Sequence, residues 1–200
     1  KKKFINEKKL KNKKNKILDL GSGTGDIILE LIKKNKIVNS QNLIILSDPN
    51  IKMIKESFKK FNNTKKIYNV ANYGEELPFK SNQFDLVTMS FSLRNTYNLK
   101  KTIKEINRVL KKNSQFLCLE FGKISNPVIN EIYQIYSQNF IPKIGSFVAE
   151  NQDAYEYLIQ SIKKFPDQKK LSNILKMNGF KNVSFKNLAF GIVAIYVCNK

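Results

Sequence analysis

The chain has 200 residues, 42% apolar and 26% charged, which is material for one hydrophobic core and no reason to expect a second. Its 36 basic against 16 acidic residues give a formal charge of +20, but the lysines spread over every predicted helix face, the pattern of a solvated surface in a chain enriched in Lys, Asn, Ile and Phe. No run of about 18 apolar residues is present to span a bilayer, no N-terminal stretch resembles a secretory signal, and without a histidine or a C-x-x-C pair a zinc site or disulfide framework has almost nothing to stand on.

A reducing compartment is therefore expected, with Cys118 and Cys198 as buried free thiols in strand-like runs. Residues 1 to 16 are crowded with lysine and are expected to be at best half ordered. Ile17 to Leu20 read as the first strand, opening onto Gly21-Ser22-Gly23-Thr24-Gly25-Asp26 and a helix over 24 to 34. Glycines there let the backbone pass close to a ligand. A dinucleotide loop would place a third glycine where Asp26 stands. With Asp19 on the strand, the order instead fits S-adenosyl-L-methionine, a cation without a phosphate; a phosphate or dinucleotide loop is the alternative. Leu43 to Asp48 form a second strand, whose terminal Asp48 either accepts ribose hydroxyls or caps the helix over 50 to 62.

A third strand over 67 to 71 leads to Asn72 and Tyr73, positioned either beside an adenine or on a plain surface loop. The fourth, over 84 to 90, ends in Ser90-Phe91-Ser92-Leu93-Arg94-Asn95. Arg94 and Arg108 are the only arginines in this lysine-rich chain, which suggests positions where a flat, permanently charged fork is needed. A helix over 97 to 111 and a strand over 116 to 121 follow. This alternation predicts an α/β fold, a doubly wound, mostly parallel sheet.

From Ile124 to about Phe165 the pattern changes to aromatic-rich helical stretches broken by Pro127, Pro142 and Pro166, which predicts a helical substrate cap between strands five and six. Its apolar face, Val128, Ile129, Ile132, Tyr133 and Tyr136 among others, either holds an apolar substrate or packs on the core. A helix over 168 to 178, stopped by Gly179, then precedes strands over 182 to 188 and 192 to 198 that meet at a turn near Gly191, giving seven strands in one domain.

The glycine loop, Asp48-Pro49-Asn50, Leu77-Pro78-Phe79, Ser90 to Asn95, Ile141-Pro142-Lys143-Ile144-Gly145, Tyr155-Glu156-Tyr157-Leu158 and Phe165-Pro166 together resemble the ubiquinone and menaquinone biosynthesis C-methyltransferase family, over nearly the whole chain. The resemblance implies a Rossmann-like class I methyltransferase fold and methyl transfer to a ring carbon of a polyprenylated quinol. It assigns cofactor contacts to Thr24, Asp48, Asn72 with Tyr73, and Ser90, beside Asp19, Gly21 and Gly23 of the loop. Tyr155 and Tyr157 become candidates to meet ring oxygens.

Ring carbon is a poor nucleophile until a neighbouring hydroxyl begins to lose its proton, so Arg94 and Asn95 are expected to hold the developing phenolate; the alternative pairs Arg94 with Asp85 or Glu120 to brace the sheet end. A substrate of this kind resides in a bilayer, so a cytoplasmic or, in a eukaryote, mitochondrial-matrix protein is expected at the inner-membrane surface, its lysines on anionic lipid or its partners other quinone-biosynthesis proteins. A homodimer stays open, and nucleic acid is disfavoured because no base-binding motif accompanies the charge. The family's N-terminal Tyr-Asp and His-x-x-Trp elements are absent, so the chain is expected to be a fragment whose own activity depends on that segment. Lys111-Lys112-Asn113-Ser114 replaces the family's Lys-Pro-Gly-Gly, Ser92 replaces a glycine, and Tyr73-Gly74 lengthens its loop by one residue.

Overall fold

A computed structural model describes residues 14–33, 42–62, 64–124 and 152–200. The basic start of the chain and most of the expected cap, including its apolar face, lie outside the described residues. Seven strands form one sheet: β1 (Lys16–Leu20), β2 (Leu43–Ser47), β3 (Ile67–Val70), β4 (Phe84–Ser90), β5 (Leu110–Phe121), β6 (Lys181–Leu188) and β7 (Val193–Asn199). Their order is β3-β2-β1-β4-β5-β7-β6, with β1 to β5 parallel and β7 antiparallel to both its neighbours. The helices are α1 (Asp26–Lys33), α2 (Ile51–Phe61), α3 (Leu99–Val109), α4 (Gln152–Lys164) and α5 (Gln168–Met177).

The period-two alternation of each strand divides the core between two faces. Leu18, Leu20, Val87, Met89, Phe116 and Cys118 meet Ile103 and Ile106 of α3 and Leu171 and Leu175 of α5. On the other face Ile17, Ile44, Leu46, Leu86 and Leu117 meet Ile28 of α1 and Phe61 of α2. Helices following β1 and β2 thus cover one face and the helix following β4 covers the other, so the winding reverses between β1 and β4. A crevice opens there, beyond the carboxyl ends of the strands, where ligands bind in such sheets. Among the described residues no helix is long and apolar enough to cross a membrane. Both cysteines are buried and free.

Most expected elements lie within two residues of their observed bounds. β5 differs, starting at Leu110 and not at 116. Phe84 pairs with Leu110 and Leu86 with Gln115, so Lys111 to Ser114 bulge within a continuous strand, with Asn113 left-handed at φ 61°. Lys200 holds the bulge, donating to the Leu110 carbonyl and accepting from Asn113 N–H on its own carbonyl. A polar Lys-Lys-Asn-Ser run therefore imitates a turn while its ends stay in the ladder.

Candidate active site

The glycine loop follows β1 into the crevice with Gly21, Gly23 and Gly25 all at positive φ. At Gly21 a Cβ would lie 2.4 Å from the Ser92 side chain, and at Gly25 2.6 Å from the Phe61 ring, so the loop is pressed against β4's exit on one side and α2 on the other. Ser22 N–H donates to the Ser47 carbonyl (3.0 Å) and Gly23 N–H to Asp48 Oδ2 (2.9 Å), fixing the loop to the end of β2. Asp48 does not cap α2. That role belongs to Asn50, whose side chain accepts from Lys52 and Met53 N–H, while Asp48 Oδ1 accepts from Asn50 N–H at 2.8 Å.

Asp19, 1% exposed, accepts from the Thr88 hydroxyl at 2.6 Å across the β1–β4 pair. Its second oxygen, Ser22 Oγ and Ser90 Oγ are buried without a partner among the described residues, and all three lie at the crevice ends of β1 and β4. Buried polar atoms are normally satisfied, so their grouping here fits a ligand with hydrogen-bonding groups of its own. The loop carries no basic side chain and is flanked by Asp19, Asp26 and Asp48, of which Asp26 is neutralised by Lys60 at 2.6 Å. Such a donor set suits the cationic amino acid end and ribose of S-adenosylmethionine better than a pyrophosphate.

Burial lifts the Asp19 carboxyl from 3.8 to about 7, the Thr88 hydrogen bond opposing and the Asp48 charge adding to the shift. Because the folded-state value lies above the unfolded one, the stabilisation is complete at acid pH and is lost as pH rises to about 7. The protein without cofactor is expected to melt progressively lower across the range from about pH 4 to about pH 7, and Asp19→Asn to flatten that slope. An approaching ammonium favours the ionised carboxylate, so cofactor binding measured by calorimetry should tighten across the same range. A parent and variant with the same pH profile would remove Asp19 from both effects.

Among the other expected cofactor contacts, Thr24 donates to Asp26 at 2.6 Å, which shapes the entry to α1. Asn72 accepts from Ser47 Oγ (2.9 Å) and donates to the Tyr73 carbonyl, so its amide braces the turn after β3. Tyr73 is half exposed and its ring lies 5.9 Å from that of Tyr97 at the crevice mouth. Ser92 was missed from the sequence, whereas Arg108 was marked there as a place for a guanidinium. Ser92 Oγ, reaching both the Gly21 and Ser90 carbonyls, ties the loop to β4's exit, and Arg108 holds the Leu77-Pro78-Phe79 turn through the carbonyls of Leu77 and Phe79.

Arg94 stands in a 3₁₀ turn over Leu93–Asn95. Its guanidinium is 2.9 Å from Glu120 Oε1, donates to the Phe91 carbonyl and to Ser161 Oγ of α4, and lies 4.9 Å from the Phe121 ring centroid. Asp85, the other acid considered for it, is taken by Lys111 at 2.7 Å. The bracing arrangement is thus present, with Arg94 side-chain exposure 8% and Glu120 fully buried. Burial pushes the Glu120 carboxyl up, opposed chiefly by the Arg94 charge. Asn95 is exposed and accepts from the Tyr157 hydroxyl at 3.3 Å, so the structure brings these two expected site residues together. A cavity of about 350 Å³ lies between this turn and α4, lined by Leu93, Arg94, Thr96, Leu99, Tyr157 and Phe165 among others. Tyr155 falls in α4, but its side chain lies outside the described residues.

A glycine loop at the switch point, an acid closing β2 and an antiparallel β7 inserted before β6 define the fold of class I S-adenosylmethionine-dependent methyltransferases. The same architecture is seen in a SAM dependent methyltransferase from Aquifex aeolicus (TM-score 0.67, 16% identity, 96% of this chain and 85% of that one). It is also seen in the [4+2]-cyclase SpnF (TM-score 0.69, 14% identity, 94% of this chain and 75% of that one), which shows that the fold alone does not fix the reaction. Sequence does so. The profile of the ubiE/COQ5 methyltransferase family matches residues 1–200, and the chain belongs to that family. It is 45% identical over 195 residues to the ubiquinone/menaquinone biosynthesis C-methyltransferase UbiE of Rickettsia prowazekii (strain Madrid E), covering 94% of this chain and 77% of the relative. The protein is a C-methyltransferase that uses S-adenosyl-L-methionine.

Proposed function

We propose that the protein methylates a ring carbon of a polyprenylated benzoquinol or naphthoquinol in ubiquinone or menaquinone biosynthesis. The observation that supports this most is the meeting of Asn95 and Tyr157 beside a cavity of mixed apolar and polar lining, joined to the likeness to a UbiE enzyme. S-adenosylmethionine, when bound, supplies a methyl group on a positively charged sulfur. What remains for the protein is to align a carbon nucleophile and exclude water.

The glycine loop, Asp19 and Asp48 hold the cofactor end of that alignment. On the substrate side the Tyr157 hydroxyl occupies Asn95 Oδ1, leaving the Asn95 NH₂ group to donate to the ring oxygen as it takes negative charge. The hydroxyl proton leaves to water, and the ring hydrogen leaves as a proton once the new carbon–carbon bond has formed. Arg94, held by Glu120, fixes the turn that carries Asn95 and ties it to α4 through Ser161.

The test is transfer of a labelled methyl group into a detergent-solubilised demethylmenaquinol or methoxy-benzoquinol, followed in the organic extract. Asn95→Ala is expected to lower kcat about 100-fold with unchanged cofactor affinity. A parent-like kcat in that variant would take Asn95 out of the chemistry, and no labelled quinol from a cofactor-binding sample would overturn the substrate class.

A further inference from the structure

The hairpin between β6 and β7 ends in a 3₁₀ turn, Ala189–Gly191, in which all three residues are left-handed, at φ 45°, 58° and 102°. Two of them are not glycine, and left-handed backbone is costly for L side chains. Phe190 is nevertheless 79% exposed at the tip, beside Leu188 at 36%. The tip is rigidly supported. Gln168, 5% exposed, donates to the carbonyls of Lys123 and Gly191 and to Asn187 Oδ1, and accepts from Lys123 N–H at 3.0 Å. Gly122 makes room for this clamp, since a Cβ there would lie 2.5 Å from Gln168 Nε2 and 2.6 Å from the Gly191 carbonyl oxygen. A fold that needs neither strain nor a solvated aromatic ring at a hairpin tip keeps both here, which points to use of the ring outside the fold.

Lys123 lies beneath the tip, joined to Gly191 through Gln168. Lys123 is exposed, reaches the Lys163 carbonyl at 3.4 Å, and is followed along α4's end by exposed Lys163 and Lys164. A groove of about 420 Å³ opens beside them, with Phe165, Pro166 and Ile174 as its apolar part and Lys123, Lys164 and Lys170 as its charged part. Among the described residues its one lining carboxylate, Asp167, already caps α5. Because β7 runs antiparallel to β5, its beginning and the tip lie at the edge of the sheet where β1, β4 and β5 end. The tip and the crevice therefore face the same way.

We infer that this hairpin tip docks the protein on an anionic phospholipid bilayer, with Phe190 entering the interface and Lys123, Lys163 and Lys164 meeting lipid phosphates. An exposed aromatic ring on the same edge of the protein as a group of lysines is the chemistry of interfacial anchoring, in which apolar burial and attraction to anionic headgroups add. The inference rests on the proposed quinol reading, since a polyprenylated substrate is held in a bilayer and docking at this edge turns the crevice toward it.

The experiment is co-sedimentation with vesicles of phosphatidylcholine alone and of phosphatidylcholine with about one-third phosphatidylglycerol, using the parent, Phe190→Ser and a Lys123→Glu/Lys163→Glu/Lys164→Glu triple variant. Calorimetric cofactor binding serves as the check on folding. The parent should bind the anionic vesicles at least about tenfold more tightly than neutral ones. Phe190→Ser should lose about tenfold and the triple variant about a hundredfold, each with unchanged cofactor binding. In Phe190→Trp the tryptophan is unique in the chain, and its emission should shift to the blue only with the anionic vesicles. Parent-like binding by Phe190→Ser, an unshifted emission on sedimenting protein, or no preference for anionic vesicles would each overturn the docking. Vesicle binding without quinol methylation would instead overturn the substrate reading, and methylation in detergent without vesicle binding would overturn this inference alone.

Discussion

Asp48→Ala is expected to weaken S-adenosylmethionine binding by about a hundredfold or more. The carboxylate has an internal task, and a second one toward the ligand is expected of it. Internally it accepts from Gly23 N–H at 2.9 Å and from Asn50 N–H at 2.8 Å, so it sets the shape of the glycine loop and the entry to α2. Toward the ligand it is the acid at the end of β2, the position from which both ribose hydroxyls are reached in sheets of this winding. Hydrogen bonds to a charged group are worth about 1.5–3 kcal/mol each, and two of them at the lower bound already correspond to about a hundredfold. Asp48→Asn keeps the acceptor geometry without the charge and should fall between parent and alanine variant. Calorimetric titration of folded protein decides the matter: a Kd for Asp48→Ala close to the parent's would remove Asp48 from the cofactor site.

Breaking the Arg94–Glu120 pair is expected to have the largest effect on stability, and the two ways of breaking it should differ with pH. Glu120→Ala leaves a guanidinium of 8% exposure with no carboxylate and no means of losing its charge, a loss of about 3–5 kcal/mol for a buried pair. Arg94→Met leaves Glu120, whose carboxyl burial already pushes up and Arg94 chiefly pulls down. Without the arginine that carboxyl takes a proton and becomes neutral. Its folded-state value then lies further above the unfolded one, so the variant's stability is retained in acid and lost as pH rises. Urea unfolding in mildly acidic and mildly alkaline buffer should show Glu120→Ala weakened in both and Arg94→Met weakened mainly in the second. If both variants lose under about 1 kcal/mol, the range of an exposed pair, the latch between β5 and the turn contributes little. Arg94→Lys adds a kinetic reading, because a turnover equal to the parent's would confine Arg94 to holding Asn95 and α4 in place.

Much of this was legible in the chain because strand and helix periods are clean through the first five strands, and glycine spacing is a local signal. The glycine loop, Asp48 and the Ser90 to Asn95 turn were all located by neighbours in sequence. Partnerships over long separations were not. That Arg94 takes Glu120 while Asp85 takes Lys111 depends on which strand ends lie side by side, and both acids were equally plausible from order alone. Asn50 and Asp48 offered the same capping chemistry, and only the turn geometry assigns the cap to Asn50 and frees Asp48 for the loop. Ser92 and Gln168 gave no sequence signal, since a serine replacing a family glycine and a glutamine opening a helix look ordinary until the backbone carbonyls they reach are known.

The position of β7 has a consequence for how the sheet is made. Among the described residues β6 pairs only with β7, and β7 also covers the free edge of β5, so a segment made after both of them joins the two. While a ribosome is still producing residues 193 to 199, β1 to β5 can assemble, but β5 presents an open row of peptide groups and β6 has no neighbour to receive it. Open strand edges of that kind recruit other chains. The nascent protein is therefore most prone to aggregate in the interval before residues 193 to 199 emerge, and β7 is the strand that ends this danger.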